Sequence, residues 1–495
     1  MCTGPFSSSW LVLWSIAWGS VARGQRTLAV PSETVVVFSL DAGAQLETHA
    51  FSTLAALSSV VHASTHAAKL RFVVMLTVPK FASETLADAM CVAIESAIGH
   101  LVSVTCSRRS FRALLGNETT RCAAAAVPAS RSRVTFVEFP SRALDYPPYV
   151  GELLELLCCS QRRYAIKRAE LATSLGNHAR FFAHLALLPL GVTRALFMDA
   201  DVLARVDVST LFATDLNRAR FVGAARRCAS KRAAYQPHVQ FRDELVKEFG
   251  LKSSAMLVNA GVLVVDLEAY CAATVLDGLK AVLRRHIAGP PLWRDGNNQP
   301  PFTIAAARHI TFVDPAWNVR LGDARGQALV VKAKKRRRES LRDECTAMLA
   351  DPWVLHAHFK PCEALPDRLC PSSRSKNSTR ADNVHARRLK AACAMARTIA
   401  NDEARPVPCQ CSDIERKTGN PFHRRGHRHR HRSRKHTASS YDETRLDGDG
   451  GGSSATPDDR REEESGDDGG TDDQHKQGKP DDSRTFAADA VADAE

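Results

Sequence analysis

The sequence lacks a hydrophobic run long enough to cross a membrane. A transmembrane helix needs about 20 apolar residues. The run near the N-terminus, Trp10–Trp18, is shorter than this, and no later stretch qualifies. Small residues follow it around Ser20–Ala22, so residues 1–24 are predicted to be a signal peptide. The positive charge that usually precedes such a run is missing, and retention of the segment as a signal anchor is the alternative.

An even spread of positive charge is also missing. The net charge of +13 arises from 67 Lys and Arg against 54 Asp and Glu, and much of it lies in Lys334–Arg338 and His423–His436. No recognition helix and no basic sheet carrying aromatic residues is visible, so no nucleic-acid partner is predicted. The first run is interpreted as a solvated insertion, with a nuclear signal or a processing site as the alternatives, and the second as a solvated basic tail. Loose binding of metal or anionic glycans is the alternative for the second run.

Cysteine spacing typical of a zinc site is absent, because Cys409-Gln410-Cys411 does not fit it. The 14 cysteines suit an oxidising compartment instead. Sequons for N-glycosylation begin at Asn117 and Asn377. Together with the signal segment, these features predict the secretory pathway: the ER or Golgi lumen, or secretion. Loss of Cys2 with the signal would leave an odd number of cysteines, and hence at least one thiol that is free or paired between chains.

Apolar runs alternate with segments of helical periodicity, which predicts an α/β fold. The largely apolar run Val35–Leu40 suits a strand buried on both faces, as in a parallel sheet. Helices are predicted around Phe51–Val61 and over Thr85–Ile98, the second with Ser83 as its N-cap. Further strands are predicted at Arg71–Val78, Val102–Cys106, Val134–Phe139, Ala195–Met198 and Val262–Val265.

The composition changes along the second half of the chain. Residues 28–365 are predicted to form the sheet domain. Residues 366–415 are predicted to be a cysteine-containing extension that is helical over His385–Ile399. Residues 416–495 have low complexity and too few apolar side chains to offset the entropy of ordering, so a disordered tail is predicted.

Two carboxylates follow the apolar segment Ala195–Met198, in the sequence Asp199-Ala200-Asp201. In an extended backbone, residues two apart point to the same side, so both carboxylates are expected to reach one divalent cation. Such a cation would bind diphosphate oxygens and stabilise the charge that develops on a departing nucleotide. Ligand sites of open α/β sheets lie at the carboxyl ends of strands, where this pair is expected to lie.

The neighbouring motifs, in their order along the chain, resemble those of glycosyltransferase family 8, which includes glycogenin, bacterial lipopolysaccharide galactosyltransferases and plant galacturonosyltransferase-like proteins. The resemblance extends from about Val35 to Pro361. It is carried by Asn177-His178-Ala179-Arg180-Phe181, the Asp-Ala-Asp motif, Asn259-Ala260-Gly261-Val262, Asn298-Gln299, Val313-Asp314-Pro315-Ala316-Trp317-Asn318, and His356 with Lys360-Pro361.

This resemblance implies a GT-A fold, a Rossmann-like nucleotide-diphospho-sugar transferase with a mixed sheet flanked by helices. It also implies a Mn²⁺ ion, a UDP-sugar donor, transfer with retention of anomeric configuration, and a glycan, glycoprotein or lipid-linked acceptor. The implied metal ligands are Asp199, Asp201 and His356, with His358 as the alternative third ligand. The implied catalytic residues are Gln299, close to the anomeric carbon, and Asn298. The implied donor-binding residues are Asp41, Arg180, Ala200, Asn259, Ala260, Gly261 and Lys360.

Other interpretations of these residues stay open. Arg180 could be a surface cation of a helix, and Asn259 could serve only to cap or turn the backbone before Gly261. Three positions depart from the family: Ala42-Gly43-Ala44 where a Tyr is usual, Asn298 where an acidic residue is usual, and Cys362 where a Trp is usual. A catalytically weak protein that binds sugar nucleotides or glycans is therefore the alternative function. A polyanion-binding surface protein that acts through its basic runs is a second alternative.

Overall fold

The computed structural model describes twelve segments of the chain, all of which belong to one compact unit. They are residues 32–41, 46–78, 80–115, 132–140, 145–162, 175–226, 239–240, 243–252, 258–293, 299–320, 353–356 and 382–403. None of the helices in these segments is both long and apolar enough to cross a membrane. The predictions for the signal peptide, both sequons, the two basic runs and the tail lie outside the described residues.

A mixed sheet forms the centre of the molecule. Its eight strands lie in the order β3-β4-β2-β1-β5-β8-β7-β9, and a second, three-stranded sheet has the order β10-β11-β6. The strands are β1 Thr34–Asp41, β2 Leu70–Thr77, β3 Cys106–Ser110, β4 Val134–Glu138, β5 Arg194–Met198, β6 Val202–Ala204, β7 Val222–Arg226, β8 Val258–Asp266, β9 Ile310–Val313, β10 Val319–Arg320 and β11 Val354–His356.

The direction of β8 determines which residues share an edge of the main sheet. All neighbouring strands of this sheet run parallel except at β8, which runs antiparallel to both β5 and β7. The first residues of β8 therefore lie beside the last residues of β5, with Met198 opposite Val262. This places Asn259–Gly261 at the same edge as the carboxyl ends of β1 and β5.

Twelve α-helices connect and cover the strands in the described segments. They are α1 Leu46–Ala63, α2 Lys80–Ile98, α3 Phe111–Leu115, α4 Pro148–Arg162, α5 Leu175–Phe182, α6 His184–Leu187, α7 Ser209–Phe212, α8 Glu244–Glu248, α9 Leu267–Ala272, α10 Val275–Ala288, α11 Gln299–Ala305 and α12 Asp382–Glu403. A 3-10 helix at Pro315–Asn318 follows β9. Helices α1, α2 and α12 pack together, and α10 packs on both α4 and α11.

The central strands are buried because helices cover the sheet. Every side chain of β2 is buried, and in β1 only Ser39 and Asp41 are partly exposed. Continuous burial of this kind is typical of parallel strands with both faces covered. The predicted α/β fold with a mixed sheet and flanking helices is thus confirmed, as are the predicted strands that became β1, β2, β4 and β5.

Two local predictions are wrong. The strand predicted at Val102–Cys106 lies instead at Cys106–Ser110, where it pairs with β4 at the edge of the sheet. Most of its side chains are exposed, so no apolar run marks it in the sequence. Ser83 is not an N-cap: α2 begins at Lys80, and Ser83 is buried within the helix.

The C-terminal extension contributes one described helix, α12, to the body of the protein. The predicted helix at His385–Ile399 is confirmed within it. Its buried face, which includes Leu389 and Ala396, packs on α1 and α2. The Nζ of Lys390 lies 3.7 Å from Oε1 of Glu47 in α1. Cys393 is a free, buried thiol, and burial raises its pKa to about 12. The limits of the predicted domains stay a prediction.

Disulfide bonds join parts of the described structure. Cys91 of α2 is bonded to Cys106 at the start of β3. Cys158, Cys159 and Cys271 are also disulfide-bonded.

Candidate functional site

Helix α5 begins against the end of β1. The Gly176 carbonyl accepts a hydrogen bond from Ser39 Oγ at 2.7 Å, and the Gly176 N–H donates to Asp41 Oδ2 at 3.4 Å. A Cβ atom at position 176 would lie 2.9 Å from the Cβ of Asp41 and 3.1 Å from Thr77 Oγ1, so a larger side chain would push the helix away. The close approach holds Asp41 at the carboxyl edge of the sheet, where the sequence analysis places the nucleotide.

Tyr146 lies close enough to Asp41 for the Asp41 charge to affect the pKa of its phenol. Its ring packs edge-on to Phe182 at the end of α5, and its hydroxyl donates to the Pro140 carbonyl at 2.8 Å. Burial raises the pKa of Tyr146 well above its usual range, and the charges of Asp41 and Asp145 raise it further. The phenol therefore stays protonated and serves as a hydrogen-bond donor.

Arg180 joins helix α5 to the two central strands. One guanidinium nitrogen donates to Asp199 Oδ1 at 2.6 Å and another to the Ala260 carbonyl at 2.5 Å. The Arg180 side chain is only 12% exposed and that of Asp199 is 24% exposed. Arg180 is thus no surface cation of a helix. Its planar group is suited to bind two acceptors at once, which a lysine cannot do in the same way.

The start of β8 forms the wall next to this ion pair. Asn259 is buried, and its Oδ1 accepts the Gly261 N–H at 3.3 Å, as the backbone-turning interpretation requires. The Gly261 carbonyl accepts the Asp199 N–H at 2.8 Å. Within the described part of the chain, however, the buried Nδ2 of Asn259 and Nε of Arg180 have no hydrogen-bond partner. Buried donors without acceptors are costly, so both atoms are candidates to bind ligand oxygens.

Asp199, Ala200 and Asp201 connect β5 to β6 through a turn. The extended backbone expected for the two carboxylates is therefore wrong, because the chain turns there from the main sheet into the small one. Both Asp side chains are partly exposed at the carboxyl edge of the sheet. Carboxylate oxygens are the ligands preferred by hard divalent cations, and the donor set fits Mn²⁺ in that respect.

His356 and His358 are the two predicted candidates for the third metal ligand. Among the described residues, no three His, Cys, Asp or Glu side chains form a metal-binding group. The backbone of His356 pairs with Val202, next to Asp201, because β11 runs antiparallel to β6. The prediction for His356 stays a prediction, and His358 lies outside the described residues.

The predicted catalytic residues are only partly described. Gln299 is the first residue of α11, and its carbonyl accepts from Thr303 Oγ1 at 2.9 Å. Asn298 and Lys360 lie outside the described residues.

One residue of the site carried no assigned role in the sequence analysis. Asn318 ends the 3-10 helix after β9, is buried, and donates from Nδ2 to the Asn259 carbonyl at 3.1 Å. The signal in the sequence is its position at the end of the motif Val313–Asn318, which does not indicate its partner.

The fold and site together define a class of protein. Reversal of β8 brings Asn259–Gly261 to the edge that already holds Asp41 and the Arg180–Asp199 pair, where open α/β sheets bind their ligands. This is a GT-A fold. The family model for glycosyl transferase family 8 matches residues 49–349, more than half of the chain. The protein belongs to glycosyl transferase family 8.

Several relatives match smaller parts of the chain. A zebrafish (Danio rerio) protein named glycosyltransferase 8 domain-containing protein 1 is 28% identical over 177 residues, covering 32% of this chain and 48% of the relative. An Arabidopsis thaliana protein named probable galacturonosyltransferase-like 9 is 25% identical over 142 residues, covering 29% of this chain and 36% of the relative. The chain thus spans about half or less of the length of these relatives.

Solved structures of glycosyltransferases are similar at low identity. The galactosyltransferase LgtC in complex with donor and acceptor sugar analogues has 14% identity and a TM-score of 0.37, covering 73% of this chain and 96% of that chain. Mouse xyloside xylosyltransferase 1 in its apo form has 14% identity and a TM-score of 0.38, covering 66% of this chain and 97% of that chain. Similarity at this level transfers no residue roles.

Proposed function

We propose that the protein is a retaining glycosyltransferase that moves a sugar from a UDP-sugar donor to the hydroxyl of a glycan, glycoprotein or lipid-linked acceptor, with Mn²⁺ held by Asp199 and Asp201. The observation that carries the proposal is the largely buried Arg180, which binds both Asp199 and the Ala260 carbonyl at the ligand-binding edge of the sheet. Membership of the family supports the reaction class.

Several residues of this chain would bind and orient the cation and the sugar-nucleotide donor. When bound, the cation would supply Lewis-acid stabilisation of the departing diphosphate. Arg180 fixes the direction of the Asp199 carboxylate and adds positive charge beside it. The unpaired donors, Nδ2 of Asn259 and Nε of Arg180, are suited to hold sugar or phosphate oxygens. Asp41 would accept hydrogen bonds from the nucleotide base.

The chemical step would proceed on one face of the sugar. The acceptor hydroxyl attacks the anomeric carbon as the bond to the diphosphate breaks, and a diphosphate oxygen takes the hydroxyl proton. Gln299 would lie near the anomeric carbon. No carboxylate beside Gln299 in the sequence suits a covalent intermediate, so double displacement is not part of the proposal.

A location in the secretory lumen is part of the same proposal. The Cys91–Cys106 disulfide and the bonded Cys158, Cys159 and Cys271 support it, since disulfides persist in oxidising compartments.

The test measures Mn²⁺-dependent hydrolysis and transfer across a panel of UDP-sugars, with product configuration determined by NMR. Asp199→Asn keeps the size of the side chain and removes its charge, so activity is expected to fall by about 10²-fold or more. Asp88→Asn, on the exposed face of α2, is the matched control. Full activity in Asp199→Asn would refute the metal role. Tight UDP binding without turnover on any donor would favour a sugar-nucleotide-binding protein instead.

A further inference from the structure

The pairing of β7 with β8 is interrupted next to the site. Ala224 pairs with Leu263, and Arg226 pairs with Val258. The intervening residues 259–262 of β8 therefore face only residue 225 of β7. On its other side β8 pairs with β5 up to Val262, which lies opposite Met198. The Asn259 carbonyl lies before this paired part of β8 and needs a partner from elsewhere, because buried polar groups without partners are costly.

Asn318 supplies that partner. Its Nδ2 donates to the Asn259 carbonyl at 3.1 Å, although the two residues are 59 positions apart, and both side chains are buried. Both backbone groups of Ala316, inside the 3-10 helix that carries Asn318, are hydrogen-bonded. Asp314 Oδ1 accepts the Ala316 N–H at 2.9 Å, and the Ala316 carbonyl accepts the Trp353 N–H at 3.0 Å.

Three successive carbonyls of β8 each bind a different part of the site. The Asn259 carbonyl accepts from Asn318, and the Ala260 carbonyl accepts from Arg180. The Gly261 carbonyl accepts from the backbone N–H of Asp199. The position of this short segment therefore controls where Arg180 and Asp199 lie, and Asn318 is the contact that holds its first residue.

We infer that Asn318 is a positioning residue, which holds the Asn259 carbonyl at the start of β8 and thereby aligns Arg180 and Asp199. It acts on the donor through these residues and does not touch the donor itself. The inference depends on the proposed function, because alignment of Asp199 matters for binding only if Asp199 holds the cation.

The test compares Asn318→Ala with Ser160→Ala. Ser160 is also buried and donates one hydrogen bond to a backbone carbonyl, that of Leu157, but this bond lies within α4 and joins no residue named in the site. Hydrogen exchange of the Asp199 amide is measured without ligand. Loss of the Asn318 hydrogen bond is expected to accelerate that exchange about five- to tenfold, whereas Ser160→Ala leaves it unchanged.

The second readout is the affinity for UDP in the presence of Mn²⁺. Electron paramagnetic resonance of the Mn²⁺ ion measures this binding. Residues that orient metal ligands typically contribute 10–100-fold to affinity, so a loss of about tenfold is expected in Asn318→Ala and none in Ser160→Ala. The KM for a UDP-sugar should rise with it, while kcat changes less. If Asn318→Ala does not fold, Asn318→Asp replaces it, since an ionised carboxylate has the same size and cannot donate.

The UDP affinities and the Asp199 exchange rates distinguish a failure of the Asn318 inference from a failure of the proposed function. Wild-type protein that binds UDP in Mn²⁺, together with an Asn318→Ala variant of equal affinity and unchanged Asp199 exchange, would overturn the inference alone. Wild-type protein that binds no UDP in Mn²⁺ would overturn the proposed function and the inference with it.

Discussion

At the scale of single residues, Arg180 determines the geometry of the site. It is nearly buried and binds one carboxylate oxygen and one backbone carbonyl. Loss of the guanidinium would leave the partly exposed Asp199 carboxylate and the Ala260 carbonyl without this shared partner. The pair is therefore expected to be sensitive to substitutions that keep the charge and change only its shape.

Arg180→Lys tests this expectation. A lysine keeps the positive charge but cannot hold Asp199 and the Ala260 carbonyl together, so affinity for UDP in Mn²⁺ is expected to fall by about tenfold or more. Isothermal titration measures the change. Arg284→Lys is the control, because Arg284 forms an exposed pair with Glu152, and exposed pairs contribute little. Equal losses in both variants would contradict a specific role for the Arg180 guanidinium.

His184, in α6, makes stability depend on pH. It is buried beside Tyr270, and burial lowers its pKa to about 3. The unfolded chain binds the proton at about pH 6.5, well before the folded protein does. The stability that His184 confers is therefore complete above about pH 6.5 and is lost as the pH falls towards 3, by up to about 1.4 kcal/mol per pH unit.

His184→Phe removes the titrating group while keeping a ring of similar shape. Urea unfolding at a series of pH values should show a smaller loss of stability between pH 6 and pH 4 than in the wild type. A substitution of the exposed His66 by Gln should leave the slope as it is. An unchanged slope in His184→Phe would show that other groups govern the acid response.

At the scale of elements, helix α12 belongs to the structural body of the protein. Leu389 is fully buried where the helix packs on α1 and α2, whereas Val384 of the same helix is 40% exposed. The C-terminal extension therefore contributes core packing, so its helix cannot be removed without exposing apolar surface of α1 and α2.

Leu389→Ala and Val384→Ala provide a matched pair on one helix. Deletion of a buried leucine side chain creates a cavity and is expected to cost about 2–5 kcal/mol of unfolding free energy. The exposed valine should cost less than about 0.5 kcal/mol. Chemical denaturation measures both. Similar small effects would mean that α12 detaches without loss of the core.

At the scale of the whole molecule, the carboxyl edge of the sheet collects residues from distant parts of the sequence. A ligand that binds only the folded protein stabilises it, by about 2.7 kcal/mol when its concentration is 100 times its Kd. UDP with Mn²⁺ is therefore expected to raise the melting temperature, and removal of the metal with a chelator should abolish the increase. Asp199→Asn should show no increase, whereas Asp88→Asn should respond as the wild type does.

Much of the fold follows from local patterns. The apolar runs at β1, β2, β4 and β5 identify buried strands because these strands are covered on both faces. The same rule fails for β3, an exposed edge strand that is fixed by its register with β4. It also fails to detect the first residues of β8, since Asn and Gly are poor strand formers and only tertiary pairing extends the strand through them.

The sequence by itself determined the family, the α/β class and the carboxylate pair, because these depend on residue identity and order. It left open whether Arg180 was a surface cation and whether Asn259 only turned the backbone. Tertiary structure decided the first question, since Arg180 binds Asp199 and Ala260 across 19 and 80 residues of sequence. For Asn259 it showed a backbone contact together with an amide nitrogen that has no partner among the described residues. Only tertiary structure revealed what Asn318 contacts, because a partner 59 residues away leaves no periodic signal in the chain.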